Sequence, residues 1–221
     1  MFPRHFIAVL TSALFLASIA AAQQPSHAHA STAPKTASTA ASALDAGSVT
    51  KDVYRNPVFG FTCKIPEGWV LRTDELNARE ADAAAGSTAS SKTSRVLLAA
   101  FSRPPEAHGD DINSSILIAA ESASTYPGLK EAAQYFGPIG EIAKAQGLEM
   151  IQEPYDFEIG AKILPRSDFQ KDVGTRVMLQ STLAMLSRGY VVSLTFIGGT
   201  EDEIEDLIAG LSFPSSGKPS K

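Results

Sequence analysis

Residues 190–214 read YVVSLTFIGGTEDEIEDLIAGLSFP, a strand followed at once by a capped helix. Tyr190, Val192, Leu194 and Phe196 fall on one face, and Val191, Ser193, Thr195 and Ile197 on the other, which is the two-residue period of a strand. Gly198-Gly199 ends it. Thr200 caps the helix and Glu203, three positions on, completes a capping box, while Glu201 and Asp202 put negative charge at the positive end of the helix dipole. Ile204, Leu207, Ile208 and Leu211 then form a single apolar stripe. Burying four such side chains is worth about 6 to 12 kcal/mol before entropy is subtracted, so this helix must pack on a sheet, and Phe213-Pro214 ends the domain.

Upstream, residues 175–186 form a second strand, joined to the first across Arg188-Gly189, where glycine supplies the positive φ of a tight hairpin. Segments 149–153 and 157–163 also read as strands. Before them, Leu129, Ala132, Ala133 and Phe136 share a helical face that Gly137-Pro138 interrupts, and Ile139, Ile142 and Ala143 continue it to a stop at Gly147; a broken or kinked helix is expected. The apolar runs 95–102 and 115–120 have the length of central strands covered on both faces. Residues 73–93 form an exposed excursion, in which a helix over 74–85 would have a stripe made almost only of alanine. Residues 52–55 are extended. Phe59, Phe61, Cys63 and Ile65 alternate as a strand over 59–65, which makes Cys63 a small core hydrophobe rather than a reactive thiol. Pro66-Glu67-Gly68 then suits a type I turn, with proline second and glycine fourth.

The ends differ from this middle. Arg4 and His5 precede an apolar run over 6–22 that closes on Ala20-Ala21-Ala22, the pattern of a cleaved secretory signal peptide. Thr11, Ser12, Ser18 and several alanines dilute the run below what a stable span of roughly 20 apolar residues requires. No cysteine stands at the cleavage point to take a lipid, so the mature chain is expected in the periplasm or medium, with no membrane span. Residues 23–47 are almost entirely Ala, Ser, Thr, Gln and Pro, too apolar-poor to fold, and read as a flexible linker. A single domain with one core then occupies 48–214, and 215–221 is a polar tail. With 221 residues and a formal charge of −5, the chain lacks the basic footprint of a nucleic-acid binder.

At Tyr54, Asn56, Phe59-Gly60-Phe61, Pro66 and Gly68-Trp69 the sequence resembles the opening of PsbP-like domains. The later residues Gly160, Asp168-Phe169 and 188–196 (RGYVVSLTF), followed by the acidic capped helix, resemble the closing half. The resemblance implies an α+β fold, an α/β/α sandwich on a mostly antiparallel β-sheet, and a non-enzymatic role. Members include accessory subunits of photosynthetic complexes, an import factor that binds a small GTPase, and bacterial envelope proteins. These matching positions are structural, so the resemblance transfers no catalytic residue. The bacterial-type export signal and Ala-rich linker depart from plastid-targeted members.

The residues themselves offer little chemistry. His108 is the only histidine beyond the linker, with Asp110 and Asp111 close after it and Ser102 before it. These are the ingredients of a hydrolytic triad, but without a Gly-x-Ser-x-Gly elbow. The same loop carries oxygen ligands without the order of a calcium loop, and Asn113-Ser114-Ser115 fits the glycosylation pattern. His27 and His29 are too few for a tight metal site. Glu153, Asp156 and Glu158 could pair as glycosidase carboxylates, though charges that blunt a sheet edge account for them better. Gly198-Gly199-Thr200 lacks a phosphate-binding lysine and is followed by three acids. The reading is therefore an exported, non-enzymatic binding or assembly-accessory protein of the bacterial cell envelope. It has no assigned catalytic, cofactor-binding or metal residues and no cofactor, and its partner is another envelope or secreted protein. A hydrolase using the His108 loop, and a carrier of a small apolar ligand held between sheet and helix, are the alternatives.

Overall fold

The computed structural model describes residues 44–85 and 94–214. The expected leader, the expected linker up to residue 43, residues 86–93 of the excursion and the tail at 215–221 lie outside the described residues. Along the chain run β1 (Ser48–Thr50), β2 (Val53–Asn56), β3 (Phe61–Lys64), β4 (Val70–Leu71), α1 (Thr73–Ala85), β5 (Ser94–Phe101) and β6 (Ser115–Ser122). Two 3-10 turns, Ala123–Thr125 and Ala132–Tyr135, lead into α2 (Phe136–Ala145). The chain continues through β7 (Glu149–Ile159), β8 (Lys162–Val173), β9 (Arg176–Ser187), β10 (Tyr190–Gly198), α3 (Glu201–Ala209) and β11 (Leu211–Ser212).

Seven strands form one sheet in the order β4-β5-β6-β10-β9-β8-β7, and four form a smaller one, β1-β2-β3-β11. Every pairing is antiparallel. The stretch β7 to β10 is a meander closed by three two-residue turns: Gly160-Ala161, Gly174-Thr175 and Arg188-Gly189. Each turn has at least one residue at positive φ: +60° at Gly160, +62° at Gly174, and 53° and 80° at Arg188 and Gly189, as the right-handed strand twist demands.

Two expectations fail here for physical reasons. The segment 157–163 is not one strand, because the chain reverses at Gly160-Ala161 in its middle. β8 beyond residue 163 goes unread in the sequence, since Pro165 and the polar run that follows it hide its alternation. Pro165 has no N–H to give, and the β8–β9 ladder accordingly starts at Arg166.

α3 and the small sheet cover one face of the large sheet, where Ile204, Leu207, Ile208 and Leu211 meet Phe61, Cys63, Ile118, Leu194 and Phe196. On the other face α1, the 3-10 turns and α2 place Leu76, Tyr126, Tyr135, Phe136 and Ile139 against Phe101, Leu117, Phe169, Met178 and Val191. The result is the α+β, α/β/α sandwich on an antiparallel sheet that the PsbP-like resemblance implies. It has two cores, one on each face, instead of the single one expected.

Smaller departures follow the same logic. Phe59 and Gly60 lie in a turn before β3, with the Phe59 N–H bonded to Asn56 Oδ1 at 3.0 Å, although the Phe59 ring is buried. The Trp69 N–H reaches Pro66 O at 3.4 Å with Gly68 at φ +82°, so glycine is third in a type II turn. Pro138 does not break α2, because the helix starts at Phe136 and the first turn has no use for its missing N–H. The upstream piece is reduced to a 3-10 turn. β11 pairs Leu211 with Cys63, so Leu211, expected in the apolar stripe of the helix, lies in a short strand just beyond it.

The excursion begins as a full helix. α1 buries little beyond Leu76, but it completes the outer edge of β5. The Arg72 N–H donates to Ala99 O at 2.9 Å, Thr73 Oγ1 accepts from Ala99 N at 3.0 Å, and the Asn77 side chain bonds both N and O of Val96 at 3.0 and 2.9 Å. Residues at the end of the expected linker are also engaged. Ala46 O accepts from the Tyr54 hydroxyl at 2.7 Å, Leu44 O accepts from Arg95 at 2.9 Å, and the Leu44 side chain packs on the core.

Candidate functional site

The connection between β5 and β6 is built around Asn113 and Asp111. Asn113 Oδ1 accepts from the Ser102 hydroxyl at 3.0 Å and the Arg103 N–H at 3.2 Å, and its amide donates to Arg103 O at 3.1 Å. Arg103 holds the Asp111 carboxylate at 2.6 Å and its carbonyl at 2.7 Å. His108 and Asp110 are exposed. Ser102 thus spends its hydroxyl on Asn113, and the loop does not bring the triad ingredients into a relay. Cys63 is fully buried, and burial pushes its thiol up to about 12, so it is inert as expected.

At one end of the sheet this loop meets the start of α3 around an open cleft of about 500 Å3, lined by Ser102, Asp111, Ile112, Arg176, Thr200 and Glu203 among others. The capping geometry sits in its wall. Thr200 Oγ1 accepts from the Glu203 N–H at 3.2 Å. Glu203 reaches back to the Gly199 N–H at 2.8 Å, one residue before the partner of an ideal capping box, and also accepts from the Ser114 hydroxyl. The Gly-Gly-Thr segment is therefore a helix cap, with its acid already engaged.

Two buried polar clusters escaped the sequence reading. Glu121, at the end of β6, is buried and accepts from the hydroxyls of Tyr126 at 2.6 Å and Tyr135 at 2.5 Å. The two rings meet edge to face at 5.2 Å. Burial holds the Glu121 carboxyl above its ordinary range, the two hydroxyls only partly opposing it. On the other face Arg166 is buried. It bonds Asp168 at 2.9 Å and Glu205 of α3 at 2.6 Å, with its guanidinium over the Phe157 ring at 4.7 Å. Tyr155 donates to Asp168 at 3.0 Å. This cluster ties β8 to α3. A lone Glu closing the run SILIAA reads as an exit to solvent, and Arg166 beside Pro165 reads as a loop, so neither gave a signal.

The outer strands present something different. Of the large hydrophobic side chains exposed among the described residues, Ile151, Ile163, Val173, Val177 and Leu186 all belong to β7, β8 and β9, whereas only Val49 and Leu71 lie elsewhere. Glu153, Asp156 and Glu158 are exposed on β7, the outermost strand. As extended residues two apart, Asp156 and Glu158 share a face, and they lie side by side with no cleft between them.

No family model matches the chain, and no curated protein matches it. Solved structures similar to it include a Pseudomonas aeruginosa protein of unknown function, PA94, described as a putative regulator. That likeness has 18% identity, covers 70% of this chain and 85% of that one, and has a TM-score of 0.35. Another is LpqN of Mycobacterium tuberculosis, described as involved in cell envelope biogenesis, at 13% identity, 70% and 83% coverage and a TM-score of 0.37. A third is the Ran-binding protein Mog1p of Saccharomyces cerevisiae, at 11% identity, 76% and 86% coverage and a TM-score of 0.38. The chain itself is an antiparallel seven-stranded sheet held between α3 with the small sheet on one face and α1 with α2 on the other.

Proposed function

We propose that this chain is an exported, non-enzymatic binding or assembly-accessory protein of the bacterial cell envelope, sent there by the leader at 1–22, and that it binds another protein through the outer strands β7 to β9. The exposed pair Ile163 and Leu186, on one face of β8 and β9 at the same end of the sheet, carries this reading, because neighbouring apolar side chains mark an interaction site more than scattered exposure does.

The test is capture from the organism's own envelope fraction with tagged mature protein, comparing the natural chain with Ile163→Glu and Leu186→Glu. A protein retained by the natural chain and lost by both variants, while His108→Ala retains it, is the expected result. Identical capture by all four chains would remove the outer strands from the function.

A further inference from the structure

The face of the large sheet that carries Ile163 and Leu186 is fixed by strand alternation. Leu164 and Met185 belong to the core under α3, so their neighbours Ile163 and Leu186 point to the opposite face, the one covered by α2 and the 3-10 turns. That cover reaches Phe169 and Met178 through Phe136 and Ile139 and stops short of the far corner. There Ile163 is 57% and Leu186 39% exposed. Extending the Arg166–Leu183 register by three residues brings Ile163 level with Leu186. Leu186 in turn is paired with Val191 and Ile163 with Glu158. On that extended register, two exposed apolar side chains from neighbouring strands share one face at the end of the helical layer.

The exposed charges of β7 that share this face are acidic, while the basic Lys162 and Arg188 flank it. Glu158, paired with Ile163, and Asp156, paired with Pro165, share the face with the apolar row and are exposed. Lys162 pairs with Ile159, which packs toward the other core, and Arg188 sits in the β9–β10 turn. A strand added at the free edge of β7 is opposed by the register breaks around Pro154, which offers no N–H to a newcomer. A helix needs no edge, and helices are what cover the rest of this face.

We propose that this corner docks a basic amphipathic helix of the partner protein, with Leu- or Ile-type side chains seated on Ile163 and Leu186 and Lys or Arg along the flank above Asp156 and Glu158. This rests on the binding role proposed above and names its chemistry. Helix-in-groove recognition takes its anchors from one apolar stripe, and complementary charge sets orientation.

The probe is a labelled peptide of about 14 residues, four helical turns, built from Leu and Lys at helical spacing, together with its counterpart carrying Glu in place of Lys. Fluorescence anisotropy is read on the full mature chain. The Leu/Lys peptide is expected to bind, the Leu/Glu peptide not to. The double variant I163S/L186S should weaken binding roughly tenfold, and D156N/E158Q should weaken it less while flattening its salt dependence. All four positions are exposed, so an unchanged melting temperature confirms that each variant is folded. Amide shifts on β8 and β9 should mark the site. Equal binding of both peptides, unchanged affinity in I163S/L186S, or shifts centred elsewhere would each overturn the proposal. So would sedimentation of the natural chain as a dimer that I163S/L186S dissociates, since a second copy would then occupy the corner. If envelope capture depends on Ile163 while the peptide ignores it, the binding role stands and the helix does not.

Discussion

Glu121 is the only buried acid among the described residues, and it has two tyrosine hydroxyls for partners but no cation. Its proton is held more tightly in the folded chain than in the unfolded one. The stability this gives is complete below the unfolded carboxyl's ordinary range and is lost as pH rises through the raised folded value. Glutamine keeps the shape and removes the titration. E121Q should therefore be more stable than the natural chain, by a margin that widens as pH rises from the ordinary glutamate range through the raised folded value. Melting temperatures of both chains across that range decide the matter, and a constant margin would show that the site does not titrate. E121A strands both hydroxyls in the core and should cost about 2 to 3 kcal/mol where Glu121 is protonated, a cost that shrinks as pH rises.

Among the elements, α1 shows how a helix with hardly any apolar stripe can still be required. Asn77 presents the N–H and C=O of Val96 with an amide that imitates a neighbouring strand, so N77A should lose about 1 to 2 kcal/mol in urea unfolding. N77D, which keeps an acceptor but loses the donor, should fall between. Hydrophobic periodicity cannot reveal such a helix, since its purpose is hydrogen bonding to an edge. By contrast α3 was legible to the residue, because Thr200, Glu203 and the Ile204-Leu207-Ile208 stripe all say the same thing. The Arg188-Gly189 hairpin and the buried pair β5 and β6 were equally plain. β8 was not, because its inward positions include Arg166 and Ser167, whose partners Glu205 and Gln152 O come from segments distant in sequence. At the candidate site, Glu153, Asp156 and Glu158 were readable as edge charges, while the Ile163–Leu186 row required a register that only pairing supplies.

For the whole molecule, the boundary of the domain lies earlier than composition suggests. A chain beginning at Leu44 keeps the carbonyls that Tyr54 and Arg95 bond, and Gly47 at φ +74° lets the entry pass where a Cβ would stand 2.5 Å from Arg55 O. A chain beginning at Ser48 has none of this. It should be less stable by about 2 to 4 kcal/mol, from one lost apolar side chain and two or three hydrogen bonds. Calorimetry of the two lengths tests this, and equal melting would return residues 44–47 to the linker. The second structural fact at this scale is the pairing of Leu211 with Cys63. The last described strand closes a sheet that the earliest strands began, so a nascent chain presents the open flank of β3 until β11 has emerged. Until Leu211 and Ser212 dock, the smaller sheet lacks its fourth strand, and a chain cut short before them is left with a sticky, unfinished border on β3.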